Sequence, residues 1–407
     1  MRSSDTSDAP TMMPLPVGLS PGDFVRRVDP WMVGALALLL TLGVATVYSG
    51  SGVKAALELG DSSYFVGKHA GSIFFGLLLM LLVARTPLES WSRLAYPILA
   101  LTFVLLAMAV FSPIGVTVKG ASRWLAFGPL RFQPAELAKL AVPLYLAASL
   151  AKKREKASTF SIGFLPHVIV VSAMVALLIE QPDLGTSAVI FATLGLTLFV
   201  AGTRTAYLVL AVFAALPVVA LYVARYPHAL RRLQVFLAPE ADRFGAGYHI
   251  YQSLVAFGSG GPVGMGLGSG TQKLFFLPEP HTDFIYATLG QELGFAGAIL
   301  TLGAFCVFIG RAMWIANRLP CRFPMFLAFG VAAWLGLQAV LNMGVAVALL
   351  PTKGLTLPFV SFGRSSMVIS LIGAGILLRA SAEEGAHLRG GQVSALPSKS
   401  KRGARKK

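Results

Sequence analysis

About ten apolar runs, each near the ~20 residues that a helix needs to cross a bilayer, follow one another along this chain. Nothing else in the sequence constrains the fold as strongly. The runs lie near 31–50, 69–84, 94–112, 134–151, 163–180, 184–201, 205–225, 287–310, 324–349 and 355–378. An open sheet leaves backbone groups unpaired in lipid, so each run is expected as a helix. Only 13% of the 407 residues are charged, about half the share typical of a soluble domain. The expectation is an all-α polytopic membrane protein. Residues 1–29, polar and Pro-rich, read as a cytoplasmic tail without the pattern of a cleavable signal peptide. Residues 30–378 form the membrane domain, and 379–407 read as a basic, disordered cytoplasmic tail.

Orientation follows from the distribution of Lys and Arg in short loops. With the N-terminus inside, Arg85, Arg93, Lys152, Lys153, Arg154, Lys156, Arg204, Arg311, Arg318 and Arg322 all fall on the cytoplasmic side. An even number of spans puts both termini there. The formal net charge of +16 is then mostly this bias rather than a nucleic-acid site, for no interleaved basic and aromatic platform is present. Cys306 and Cys321 form no disulfide framework or metal-type spacing. The long connection 226–284, between helices 7 and 8, becomes a large extracytoplasmic loop. It contains two amphipathic segments and a glycine-rich stretch, Gly258 to Gly270, expected as a mobile loop near a ligand.

Polar clusters gather at this outer side. In TQKLFFLPEPHTDFIYATLGQELG, Lys273, Glu279, His281, Thr282 and Asp283 abut an apolar run. A carboxylate at the mouth of a span is costly and usually marks chemistry or ion handling. Asp also caps helices well, and the residues alone leave that reading open. Lys119, Arg123 and Arg131 lie in a second outer loop, where an arginine fork can hold a phosphate. Glu136 and Lys139, three apart, are expected as a structural ion pair. Asp183 is expected to cap the helix that follows it. Lys353 sits in a Pro/Gly-bounded turn, and Pro358, Gly363 and Arg364 interrupt the last run, as in a broken helix lining a cavity. A carboxylate among cations suits one substrate class, a lipid-linked pyrophosphate whose head group reacts with a hydroxyl.

At these same stretches the chain resembles the SEDS family of peptidoglycan polymerases, the RodA/FtsW type. The resemblance rests on five motifs in order, RWLAFGPLRFQPAELAK, QPDLGTS, FGAGYHIYQSLVAFGSGG, QKLFFLPEPHTDFIYATLGQELG and LLPTKGLTLPFVSFGRSS, and spans about Asp29 to Arg379. It is more similar to the division (FtsW-type) members, because GLGSGTQKLFFLPE lacks the longer insert of the elongation members. The resemblance implies polymerisation of lipid II into a nascent glycan strand, with Asp283 as the essential acid/base. Arg123, Lys119, Lys273, Lys353, His281 and Glu279 are then the substrate-binding candidates. It also implies a class B penicillin-binding protein and other division proteins as partners, and a place in the bacterial inner membrane at the septum. No dedicated metal site is visible, although a divalent cation (Mg or Mn) could assist pyrophosphate departure. Three departures stand out: Ala135 replaces the family's usual Ser, Phe362 and Arg364 replace its Tyr and Gly in one motif, and Pro280 precedes His281. Two other readings stay open, a lipid II flippase and a non-catalytic scaffold.

Overall fold

The computed structural model describes residues 21–118, 121–128, 130–153, 156, 158–237, 245, 247–270 and 280–394. A short helix α1 (Pro21–Arg27) leads into α2 (Pro30–Leu59). The Asp29 carboxylate caps α2, accepting from the Met32 amide at 3.1 Å, and Pro30 occupies the first turn, where its missing N–H costs nothing. Then come α3 (Tyr64–Arg85), α4 (Trp91–Phe111), α5 (Pro134–Lys153), α6 (Leu165–Glu180), α7 (Leu184–Val200) and α8 (Thr205–Arg225). Between α4 and α5 lies a three-stranded antiparallel sheet, β1 (Gly115–Val118), β2 (Ala121–Phe127) and β3 (Leu130–Phe132). The long connection carries α9 (Pro227–Leu237) and α10 (Tyr248–Gly260), and α11 (Ile285–Ala316), α12 (Arg322–Ala346) and α13 (Arg364–Ser394) close the fold.

Among the described residues eight helices are long and apolar enough to cross a membrane by length and composition: α2, α3, α4, α6, α8, α11, α12 and α13. The apolar α7 is shorter, at 17 residues, and α5 is 20 residues long and carries Glu136 and Lys139. The small sheet departs from a purely helical expectation. Its hairpins pair their own amides and carbonyls, so it adds few unbonded groups.

Three features differ from the sequence reading. The last span starts at Arg364, not near 355, because 351–363 is an irregular loop. The segment expected as a tail from Arg379 continues α13 to Ser394, and Arg379, Ser381, Glu383 and Glu384 are buried. Their bonds explain this. Arg379 Nε donates to Glu383 at 2.8 Å, Leu88 N donates to the same carboxylate at 3.0 Å, and Asp29 N donates to Ser381 Oγ at 3.2 Å. Finally, α11 is broken at Gly294 (φ 67°, ψ −165°). The glycine-rich turn, expected to be mobile, is clasped onto this break. Met265 N and Gly266 N donate to the carbonyls of Gln291 and Glu292, and Phe295 N and Ala296 N donate to those of Gly261 and Pro262. The two backbones approach so closely that no Cβ fits at Gly264 or Gly294, both with positive φ.

The bundle is organised around α5 and α12. The whole of α5 from Pro134 to Leu150 except Leu137 is buried. Lys139 lies 2.7 Å from Glu136 and donates to Gln338 Oε1 at 2.7 Å. Trp334 Nε1 donates to the same oxygen at 3.1 Å, and Gln338 Nε2 donates to the Thr356 carbonyl at 2.8 Å. The expected ion pair is thus present, extended by α12 to the loop before α13. Removing one member of a buried pair strands the other charge, at about 3–5 kcal/mol. Lys139→Met should therefore lower the thermal transition in detergent more than the double change Lys139→Met with Glu136→Gln.

Candidate functional site

The site is assembled from two non-helical segments, 280–284 before α11 and 351–363 before α13. Irregular backbone packed into a helix bundle persists only when its polar groups are bonded, and these two segments bond each other. Phe362 N donates to the His281 carbonyl at 2.9 Å. Ser361 Oγ donates to the Thr282 carbonyl at 2.6 Å while accepting from Leu357 N at 2.8 Å. Asn342, on α12, donates through Nδ2 to the carbonyls of Asp283 (3.0 Å) and Leu355 (2.6 Å). Thr288 Oγ1 holds the Pro280 carbonyl at 2.9 Å. An aromatic cluster covers one flank, with the His281 ring 5.0 Å from Phe65 and 5.7 Å from Phe362, centroid to centroid.

Asp283 is therefore fixed by its backbone. It does not occupy the capping position of α11, which falls to Phe284 without a side-chain capping bond. Its carboxylate rests against the opposite loop, and a Cβ placed on Gly354 would stand 3.2 Å from Asp283 Oδ2. The next residue back, Lys353, is half-buried. Burial pushes its amine below the ordinary lysine range, Arg232 adds to this, and Asp183 opposes it. Asp183 in turn caps α7, accepting from Thr186 N at 3.1 Å and Thr186 Oγ1 at 2.9 Å.

Arg123, on β2, is used differently from the expectation. Its Nε donates to the Gln181 carbonyl at 2.9 Å and its Nη2 to the Pro182 carbonyl. It holds the turn that presents Asp183, and these two bonds use two of its five N–H groups. Lys119, Lys273 and Glu279 lie outside the described residues. His281 and Asp283 share one segment, and the Asp283 carboxylate rests against Gly354, the residue after Lys353, while Glu136 and Lys139 connect to the loop before α13 through Gln338 and Thr356. Sequence reasoning missed Asn342, Ser361, Gln338 and Arg232. Asn342 and Gln338 carried a signal, as amides inside an apolar run that must find partners. Among the described residues no group of three or more His, Cys, Asp or Glu side chains could hold a metal ion.

The family model for FtsW, RodA and SpoVE, described as cell cycle protein, matches residues 30–386. The chain belongs to this family. A protein of Trichlorobacter lovleyi named "Probable peptidoglycan glycosyltransferase FtsW" is 42% identical over 344 residues, covering 84% of this chain and 90% of that protein. One of the same name from Coxiella burnetii is 39% identical over 355 residues, covering 86% and 95%. Among solved structures, a chain from work on the structural coordination of polymerization and crosslinking by a peptidoglycan synthase complex superposes with a TM-score of 0.72 at 30% identity, covering 88% of this chain and 98% of that one. The rod shape determining protein RodA of Thermus thermophilus superposes with a TM-score of 0.63 at 27% identity, covering 87% and 96%. The chain is thus a multi-pass bacterial inner-membrane protein of the SEDS type.

A carboxylate held by its segment can take a proton, and a lysine one residue from the glycine it rests on can steady an anion. The contact at Gly354 gives a direct check. Gly354→Ala should displace the Asp283 carboxylate and cut turnover about tenfold or more, while the thermal transition stays near wild type.

Proposed function

We infer that the chain is a peptidoglycan glycosyltransferase of cell division that polymerises lipid II, with Asp283 as its base. The observation that carries this reading is the Asp283 carboxylate held against Gly354, one residue from Lys353. Asp283 accepts the proton of the acceptor sugar hydroxyl. That oxygen bonds to the anomeric carbon of the growing strand. The bond from this carbon to the pyrophosphate oxygen breaks, and the electron pair leaves with undecaprenyl pyrophosphate. Lys353 and the remaining N–H groups of Arg123 steady the departing charge. Lys119, Lys273, His281 and Glu279 belong to the same substrate surface in this reading.

The hard oxygens of one carboxylate and a pyrophosphate suit a magnesium or manganese ion, which keeps several waters and needs few protein ligands. Asp283 would hold it, and the ion would supply neutralisation of the leaving group. The end of the bundle bearing the site faces outward, both termini lie in the cytoplasm, and the protein works at the septum. Its partner is a class B penicillin-binding protein among other division proteins, a reading supported by the synthase complex in which a similar chain was solved.

Two measurements test the chemistry. Asp283→Asn, purified with a partner whose transpeptidase is blocked, should lose about 10²- to 10⁴-fold in strand formation from purified lipid II. Wild-type rates would remove Asp283 from the chemistry. The second measurement concerns pH. Lys353 must be protonated to hold a phosphate, and its depressed value means the proton is lost sooner as pH rises. Turnover should therefore fade below the ordinary lysine range, and Lys353→Arg should move that alkaline limb upward. The same depression has a stability consequence of fixed sign. Charged Lys353 costs stability below its folded pKa, and the cost fades as pH rises from that value to the unfolded one.

A further inference from the structure

Polymerisation of lipid-linked sugars brings two pyrophosphates to one site, and the cations described above serve only the one that leaves. The second belongs to the acceptor, whose reacting hydroxyl is separated from its own pyrophosphate by the length of a disaccharide. A second cationic group stands at the same end of the bundle, displaced from Asp283. Lys68, in the first turns of α3, reaches the Tyr64 hydroxyl and lies 3.9 Å from the centre of that ring. Arg364, the first residue of α13, is within electrostatic reach of Tyr64 as well. Among the described residues neither cation has a carboxylate at ion-pair distance. Lys353, by contrast, has Asp183 near enough to favour its charge.

The second group is tied to the reacting segment through side chains already described. Tyr64 packs on Phe65 at 5.3 Å, and Phe65 packs on both His281 and Phe362. His281 is two residues before Asp283, and Phe362 is two before Arg364. The platform is rigid. A Cβ at Gly375 of α13 would lie 2.6 Å from the Met80 carbonyl of α3, so the two helices pack backbone to backbone. Ser365 Oγ accepts from Gln133 N at 3.2 Å, which fixes the start of α13. Two cations beside a helix start, with no carboxylate at ion-pair distance among the described residues, suit an anion.

We propose that Lys68 and Arg364 hold the pyrophosphate of the acceptor lipid II, separately from the Lys353 group that receives the leaving pyrophosphate. The proposal rests on the glycosyltransferase reading above. It also gives Arg364, which stands where the family usually has glycine, a use in this chain.

The test is steady-state strand formation against lipid II concentration, with the partner's transpeptidase blocked. Arg364→Gly, Lys68→Ala and the double change would be compared with wild type. Each single change should raise KM about tenfold, as expected for loss of a charge-assisted contact, with kcat within about twofold of wild type. The double change should raise KM further and flatten its dependence on salt. Arg364→Lys should keep most of the affinity, and Arg364→Gly should unfold at the wild-type temperature. Unchanged KM, or loss confined to kcat, would overturn the proposal. Binding of fluorescent lipid II in the Asp283→Asn background separates the two readings. Weakened binding on adding Arg364→Gly supports the acceptor site whatever Asp283 does, and unchanged binding removes it. Nanodiscs with and without phosphatidylglycerol complete the test. A KM effect present only with that lipid would assign the cations to bulk anionic lipid and overturn the proposal.

Discussion

Irregular backbone inside a membrane domain is stable only where each amide and carbonyl finds a partner. Here that requirement is met mutually. The segment 280–284 offers carbonyls at His281, Thr282 and Asp283, and α12 and the loop 351–363 supply Asn342, Ser361 and the Phe362 amide to meet them. The position of the Asp283 carboxylate is therefore a property of three elements: α11, α12 and the loop before α13.

The layers beneath follow the same logic. Gln338 on α12 carries the bonding from the Glu136–Lys139 pair to Thr356, and Thr356 Oγ1 lies 2.7 Å from Ser366 Oγ. A buried ion pair is a weak source of stability, but a chain of satisfied polar groups fixes one arrangement of a core. The clasp of the glycine-rich turn on the break at Gly294 orders the first part of α11, where Ile285 to Glu292 are buried without exception. Rigidity on this scale suits a site that must meet a hydroxyl and a leaving group in one geometry.

Much of this was legible in the sequence, because the bilayer makes apolar length and stray charge informative. The positions of most helices, the pairing of Glu136 with Lys139 and the capping role of Asp183 followed from residue type and spacing, whereas which groups meet Asp283 in space did not. What was missed involves groups that act across long separations. Asn342 and Gln338 sit in an apolar run, and nothing local says which carbonyls they meet. The GMGLGSG stretch reads as flexible because its glycines admit many conformations. Their actual use is close approach to α11, a property of a distant partner. Residues after Arg379 looked like a tail by charge, yet Arg379 and Glu383 neutralise each other and Leu88 completes the contact.

The central claim is that backbone bonds from Asn342 and Ser361 hold Asp283 in its reacting position. It is tested most directly by kcat, KM and thermal unfolding of Asn342→Ala and Ser361→Ala, with lipid II as substrate. The account predicts a fall in kcat of about 10²-fold for each folded variant, with KM for lipid II close to wild type. Wild-type kcat in folded protein would show that Asp283 is held by something else, and would contradict it.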